Sequence, residues 1–259
     1  MHGLVRGWIV GLALIAASAA SAALVDDAKL AAAKRAGDEF ARRAEGSATT
    51  GVVPRAADPG IAPLLDAAFN NAAIPKGEAL PISESGKLGE LLASGNRVGL
   101  AYILAGAGTG DLATQDPKAL ERADQNVVTY ALEIGRWFDF QIGIQDAFAA
   151  STLAFLAAAA PATLERPNVK SGLANVRQGL ARSLGGVFQT MATGGLDDAW
   201  RRDRLVALAA VVDKAAELVT PEDAVALRTI ATELSGQVRS ADVQDRLKDF
   251  ARRIAPGKP

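Results

Sequence analysis

Three carboxylates and one guanidinium share a face of a predicted helix near the middle of the chain. Glu133, Arg136, Asp139 and Asp146 are spaced three, three and seven residues apart, so helical periodicity places them roughly in line. Such a line could form one side of a ligand cleft, or its carboxylates could bind a hard cation. The alternative is a strip of ion pairs along the helix, Glu133–Arg136–Asp139, at the edge of a bundle. Opposite charges three residues apart are common on helices, which favours the strip.

A second candidate is Glu84, which lies between Ser83 and Ser85 where another helix is predicted to begin. A serine at a helix start can accept hydrogen bonds from free backbone N–H groups, and a glutamate beside it interacts favourably with the helix dipole. The residue types therefore favour a helix start in which Ser83 or Ser85 is the cap and Glu84 adds charge.

The same segment resembles the catalytic segment of lytic transglycosylases and goose-type lysozymes. In those enzymes a Glu-Ser pair precedes a Ser…Gly-Leu segment, and here Ser94 and Gly99-Leu100 follow Glu84-Ser85 at a similar spacing. The Met-Gln that follows Gly-Leu in those enzymes is Ala101-Tyr102 in this chain. The resemblance implies that Glu84 is a general acid whose pKa is raised by an apolar cleft.

A basic cluster follows Trp200. Arg201, Arg202 and Arg204, interrupted by Asp203, could bind phosphate or an anionic polymer. The chain as a whole is balanced, with 28 Lys and Arg against 29 Asp and Glu, and aromatic residues are not interleaved with these arginines. We therefore predict a solvated helix face here and no nucleic-acid partner for the chain.

Cysteine is absent from the sequence, and its single histidine is His2. His2 belongs to a predicted signal peptide, so the processed chain would contain neither a thiol nor an imidazole. These groups are the usual ligands of zinc, copper and haem iron, and they activate the nucleophiles of Ser-His and Cys-His enzymes. We therefore predict no cofactor, no metal site and no chemistry based on these two residue types.

Residues 1–22 have the pattern of a secretory signal peptide. Arg6 precedes an apolar run that begins at Trp8, and Ala20-Ser21-Ala22 matches the small-x-small site that signal peptidase accepts. The processed chain would begin at Ala23 and would be periplasmic or secreted, with no stable membrane insertion. The alternative is an uncleaved anchor, since Gly7 to Val25 carries no charge and is nearly long enough to span a bilayer.

The rest of the sequence predicts an all-α fold, a bundle of seven to eight helices around a long buried central helix. The composition is rich in alanine and contains 5% aromatic residues, and the apolar residues recur at helical spacing. Residues 23–51 are expected to form a charged N-terminal helix and a linker, and residues 52–259 the bundle. The central helix is expected to run from Pro117 to Ala160, with Asp116 as its N-cap.

Two stretches predict how these helices pack. Gly95 and Gly99 share one helix face, which indicates a point where another helix approaches closely. Ala147 to Leu164 is uncharged and borders on transmembrane length. Its serine, threonine, proline and many alanines favour part of a soluble core instead.

No motif in the sequence is specific for one activity. The observations favour an exported non-catalytic α-helical binding or interaction protein of the bacterial envelope, whose partner is a protein or a small molecule. The alternatives are a carboxylate-dependent hydrolase of cell-wall glycan and a carrier of a small apolar ligand. A deep cleft with Glu84 or Asp139 at its floor would favour the enzyme or the carrier, and a filled core would favour the interaction protein.

Overall fold

The computed structural model describes residues 24–75, 79–107 and 117–254. Within these ranges the regular elements are all helical, which confirms the predicted all-α bundle. Eight α-helices have thirteen residues or more, and three shorter ones lie between them. In chain order they are α1 (Asp27–Arg43), α2 (Ser47–Thr50), α3 (Ile61–Ala68), α4 (Ser85–Ile103), α5 (Pro117–Thr129), α6 (Ala131–Ala158), α7 (Pro161–Leu164), α8 (Pro167–Met191), α9 (Asp198–Leu218), α10 (Pro221–Gln237) and α11 (Ala241–Arg253).

Side chains in the first turn fix where several helices begin. Asp26 accepts hydrogen bonds from the N–H groups of Ala28 and Lys29 at the start of α1, and Asp197 accepts one from Ala199 at the start of α9. These bonds satisfy backbone donors that have no partner within the helix. Helices α7, α8 and α10 each begin with proline, whose fixed φ suits the first turn.

The predicted central helix is two helices, because the chain turns at Tyr130. This residue has φ −112° and ψ 32°, outside the helical range. Its ring is buried against Tyr102, and its hydroxyl donates a hydrogen bond to the carbonyl oxygen of Gly51. The side chain is thus fixed in the core where the backbone turns. The prediction of one helix over residues 117–160 is wrong, and the expected cap Asp116 lies outside the described residues.

Helix α6 is the central element, and its neighbours pack along it in both directions. Helix α9 runs parallel to α6, since Trp200 donates to the carbonyl oxygen of Ala131 near their starts and Lys214 pairs with Asp146 further along. Helix α4 runs antiparallel to α6 on another side, and α1 and α3 pack on α4. Helices α8, α10 and α11 complete the bundle around α9.

The N-terminal helix belongs to the same core as the rest of the bundle. Leu30, Ala33 and Phe40 of α1 are buried, and Phe40 packs its ring against Tyr102 of α4 at a centroid distance of 5.4 Å. The stretch after α1, expected to be a linker, contains the short helix α2 and the buried Val53. The described part of the charged N-terminal segment, residues 24–51, is therefore packed against the bundle.

The closest contact in the core is the crossing of α4 and α6 at two glycines. A Cβ on Gly95 would overlap the ring of Phe140, and a Cβ on Gly99 would overlap the ring of Trp137. The expected close approach at these glycines is confirmed, and its partner is a pair of aromatic rings. Between them, Asn96 Oδ1 accepts buried hydrogen bonds from Trp137 Nε1 at 3.0 Å and from Gln141 Nε2 at 2.8 Å.

Burial decreases towards the C-terminal end of helix α6. Thr152 is its last buried residue, and the described residues 153–164 are partly or fully exposed. Of the stretch 147–164 expected in the core, residues up to Thr152 include buried ones, and Leu153 and Leu156 pack partly against a small buried cluster. We name residues 153–164 the uncharged tip, because every residue in it except Thr163 is apolar and none is charged.

Gly99→Ala is expected to lower the free energy of unfolding by roughly 1–3 kcal/mol, because the added methyl group overlaps the Trp137 ring in a filled core. Gly89→Ala is the matched control in the same helix, where a Cβ meets nothing within 4 Å. It should raise stability by about 0.5–1 kcal/mol through reduced backbone entropy in the unfolded chain. Chemical denaturation measures both, and a stabilised Gly99→Ala protein would contradict the close contact.

Candidate functional site

The polar line on α6 is present, but each of its side chains bonds to a different part of the chain. Glu133 is buried, with 4% of its surface exposed, and its Oε1 accepts a hydrogen bond from the backbone N–H of Ala56 at 2.8 Å. Two tyrosine hydroxyls hold the same loop, Tyr102 to the carbonyl oxygen of Pro54 and Tyr130 to that of Gly51. Burial, with the nearby Glu133 charge, raises the pKa of Tyr102 above its usual value.

The expected strip of ion pairs within the helix is wrong. Arg136 pairs with Asp66 of α3, Nη1 to Oδ1 at 2.9 Å, and Asp146 pairs with Lys214 of α9. Both pairs are partly exposed, so each contributes about 0–1 kcal/mol. The line therefore connects α6 to α3, to the loop before α3 and to α9.

Asp139 pairs with Arg204 of α9, Oδ2 to Nη2 at 3.0 Å. The strip predicted Arg136 as its partner, and the observed partner lies on another helix. Of the Asp139 side chain 51% is exposed, against 13% for Arg204. Partial desolvation raises the pKa of Asp139 above its usual value, and the positive charge of Arg204 opposes that shift.

Small residues beside Asp139 explain how α9 and the loop before α4 approach α6. A Cβ on Gly135 would overlap the guanidinium of Arg204, and a Cβ on Gly143 would overlap the amide of Asn71. The Asn71 amide donates to the carbonyl oxygen of Asp139 at 3.2 Å. The polar line is therefore covered by neighbouring side chains over part of its length.

Glu84 is buried and already bonded to two groups. Its Oε2 accepts a hydrogen bond from the backbone N–H of Val25 at 2.9 Å and lies 3.3 Å from Lys87 Nζ. The Lys87 ammonium also pairs with Asp27 at 2.8 Å, and hydrogen bonds to Asp27 and then to Glu84 raise the pKa of Lys87. This carboxylate connects the residues before α1 to the start of α4.

The environment of Glu84 differs from that of a general acid in an apolar cleft. The resemblance implies an apolar cleft around Glu84, whereas its carboxylate contacts a backbone N–H and an ammonium. The expected capping by serine is wrong. The N-terminus of α4 has no side-chain cap, and the Ser85 hydroxyl donates to the carbonyl oxygen of Ile82.

The basic cluster after Trp200 is not a solvated face throughout. Arg201 is buried, and its guanidinium donates to the carbonyl oxygens of Met191, Thr193 and Leu196. These carbonyls belong to the end of α8 and the loop after it, so the arginine binds the loop from the inside. Arg202 is exposed, as expected. The guanidinium of Arg204 stacks on Trp200, 4.6 Å from the ring centroid.

Other site types were also assessed in the described part of the chain. Its His, Cys, Asp and Glu residues form no group of three that could hold a metal ion. An open depression of about 460 Å³ lies between α1 and α3, lined by Arg35, Ala36, Asp38, Glu39, Arg42 and Leu64, and none of these residues belongs to α6. Helix α6 is long and apolar enough to cross a membrane by length and composition, and half of its most apolar stretch is buried.

The uncharged tip is the surface that the sequence analysis did not single out as a site. Its signal was visible in the sequence, since no charge occurs between Asp146 and Glu165. Periodicity could not show that burial decreases in the second half of this stretch. Leu153 and Leu156 pack partly against a small apolar cluster of Ala149, Val176, Leu180 and Leu218, while the alanines at 154, 157 and 158 are exposed.

Comparisons with protein-family models, with curated proteins and with solved structures give no match for this chain.

Glu84→Leu is expected to lower the free energy of unfolding by about 1–3 kcal/mol, because the buried N–H of Val25 loses its acceptor. Glu84→Gln keeps an acceptor oxygen and should cost less than about 1 kcal/mol. Chemical denaturation of the two variants measures the difference. Equal losses would mean that the hydrogen bond to Val25 is not what makes Glu84 important for stability.

Asp139→Ala is expected to lower the free energy of unfolding by about 1 kcal/mol, the upper end of the range for exposed ion pairs. The loss stays this small because the largely buried Arg204 retains its contact with Trp200. Asp139→Asn keeps an acceptor for Arg204 and should cost less than about 0.5 kcal/mol. The midpoint of urea denaturation at pH 7 reports both. A loss of about 3 kcal/mol or more for the alanine variant would show a pair that behaves as buried.

Proposed function

We propose that this chain is an exported, non-catalytic helical interaction protein of the bacterial envelope, and that the uncharged tip is its binding surface. The observation that carries the proposal is a stretch of twelve consecutive uncharged residues, all apolar except Thr163. None of them is fully buried, and the alanines at 154, 157, 158, 160 and 162 are exposed. Contiguous apolar surface on a folded protein marks a site of contact with a protein or a membrane.

The rest of the bundle supports a role without catalysis. Three of the four ionisable residues on the polar line pair with a side chain of another helix, and Glu133 bonds a backbone N–H. Glu84 is bonded to Val25 and Lys87. A general acid or base must be able to reach the proton it transfers, and these carboxylates are engaged in holding the fold.

Export is part of the proposal and is supported by the sequence. The apolar run after Arg6 and the Ala20-Ser21-Ala22 site have the pattern of a cleaved signal peptide. An exported chain without cysteine derives its stability from its core, and α1, α4, α6, α8, α9, α10 and α11 all contribute buried residues to one large core.

The proposal is tested by photo-crosslinking in the cells that produce the protein. In one variant a benzophenone amino acid replaces Ala157 in the uncharged tip. In the control variant it replaces Ala207 on α9. Both alanines are exposed. Illumination should give an adduct with protein or lipid at position 157 and none at position 207.

An adduct at position 207 and none at position 157 would contradict the proposal that the uncharged tip is the binding surface. Release of sugar from purified cell wall by the protein, abolished in Glu84→Gln with the fold intact, would replace it with the hydrolase.

A further inference from the structure

We propose that the first residues of the bundle form a latch that protects the predicted signal-peptide cleavage site once the chain has folded. The latch consists of residues 25–27, and Glu84 is the side chain that holds it. The inference rests on the export that is part of the proposed function, because it concerns when the bond between Ala22 and Ala23 is cut. Processing then has to precede the docking of Val25 on the bundle.

The latch is bonded to two segments that are far from it in sequence. The N–H of Val25 donates a hydrogen bond to Glu84 Oε2 at 2.9 Å. The N–H of Asp26 donates one to the carbonyl oxygen of Ala73, also at 2.9 Å. Both donors precede α1, which begins at Asp27, so the backbone is fixed to the bundle before its first helix starts.

Burial and charge add to these hydrogen bonds. Val25 is 3% exposed and its side chain belongs to the main core. Lys87 Nζ lies 2.8 Å from Asp27 and 3.3 Å from Glu84, so this ammonium connects the latch to the start of α4. Opening the latch therefore exposes an apolar side chain and separates a buried carboxylate from its backbone donor, and both changes are unfavourable.

The predicted scissile bond lies very close to the latch along the chain. Only Ala23 and Leu24 separate this bond from Val25. Two residues span at most about 7 Å even when fully extended, so the bond stays within that distance of the Val25 nitrogen whatever path the preceding residues take. The folded bundle therefore carries its own cleavage site directly at its surface.

A protease needs more free chain than these two residues provide. Cleavage occurs where the chain is exposed and locally unfolded, and a folded region is cut only after it opens. While the latch is closed, the bundle occupies space that the enzyme must fill on the C-terminal side of the bond. Cleavage of the folded chain should therefore depend on the small population in which Val25 and Asp26 have left the bundle.

The test compares cleavage during synthesis with cleavage after folding. The full chain is made by cell-free synthesis, and purified signal peptidase in non-ionic detergent is added either during synthesis or after the chain has folded. Intact mass identifies the product that begins at Ala23. We expect efficient cleavage in the first case and at least about tenfold slower cleavage in the second, because the open latch is then a minor population.

Two variants separate opening of the latch from unfolding of the whole bundle. Glu84→Leu removes the acceptor of the Val25 N–H and should accelerate cleavage of the folded chain at least about fivefold. Gly99→Ala is the matched control, since its added methyl group disturbs the crossing of α4 with α6 at Trp137 and not the latch. It should leave the cleavage rate of the folded chain within about twofold of that of the unmodified protein.

Each of the other results would overturn the inference. Equal cleavage during synthesis and after folding would show that the folded bundle leaves the site open. An unchanged rate in Glu84→Leu would show that this carboxylate does not hold the latch, and equal acceleration in Gly99→Ala would show that cleavage requires global unfolding. These three results would leave the proposed function intact. Absence of cleavage even during synthesis would also contradict the cleaved signal peptide on which the proposed export depends.

Discussion

A helix at the centre of a bundle can carry ionised and amide side chains only if each of them finds a partner where the helix meets its neighbours. Helix α6 carries several, and their partners come from different segments. Glu133 bonds the loop before α3, Arg136 bonds α3, and Asp139 bonds α9. These segments are far apart in sequence. The hydrogen bonds and ion pairs of the polar side chains on α6 therefore hold distant parts of the chain around this helix.

The same constraint has an apolar counterpart where α6 crosses α4. The rings of Trp137 and Phe140 fill the space left by two glycines of α4, and Asn96 bonds the indole nitrogen that the ring brings into the core. Buried aromatic groups with a polar atom need such a partner. Packing and hydrogen bonding at this crossing therefore support each other, and the α4–α6 pair is a rigid base for the elements that pack on it.

The features that depend on local sequence could be predicted. The helical class and the close approach at Gly95 and Gly99 follow from spacing and residue type. The partners of charged side chains could not be predicted, because they lie far away in sequence. Asp139 meets Arg204 across 65 residues, and Glu84 meets Val25 across 59. Periodicity assigns a residue to a face, but what covers that face is decided by tertiary packing.

The crossing at Gly99 and Trp137 limits how this sequence can diverge. Gly99 cannot become larger unless Trp137 becomes smaller, and a smaller residue at 137 alone leaves a cavity, so the two positions are coupled and a single change at either one is costly. In distant chains that share this fold, a larger residue at the first position should therefore accompany a smaller one at the second. Such covariation, which reports spatial contact, would identify common ancestry even where most surface residues have been replaced.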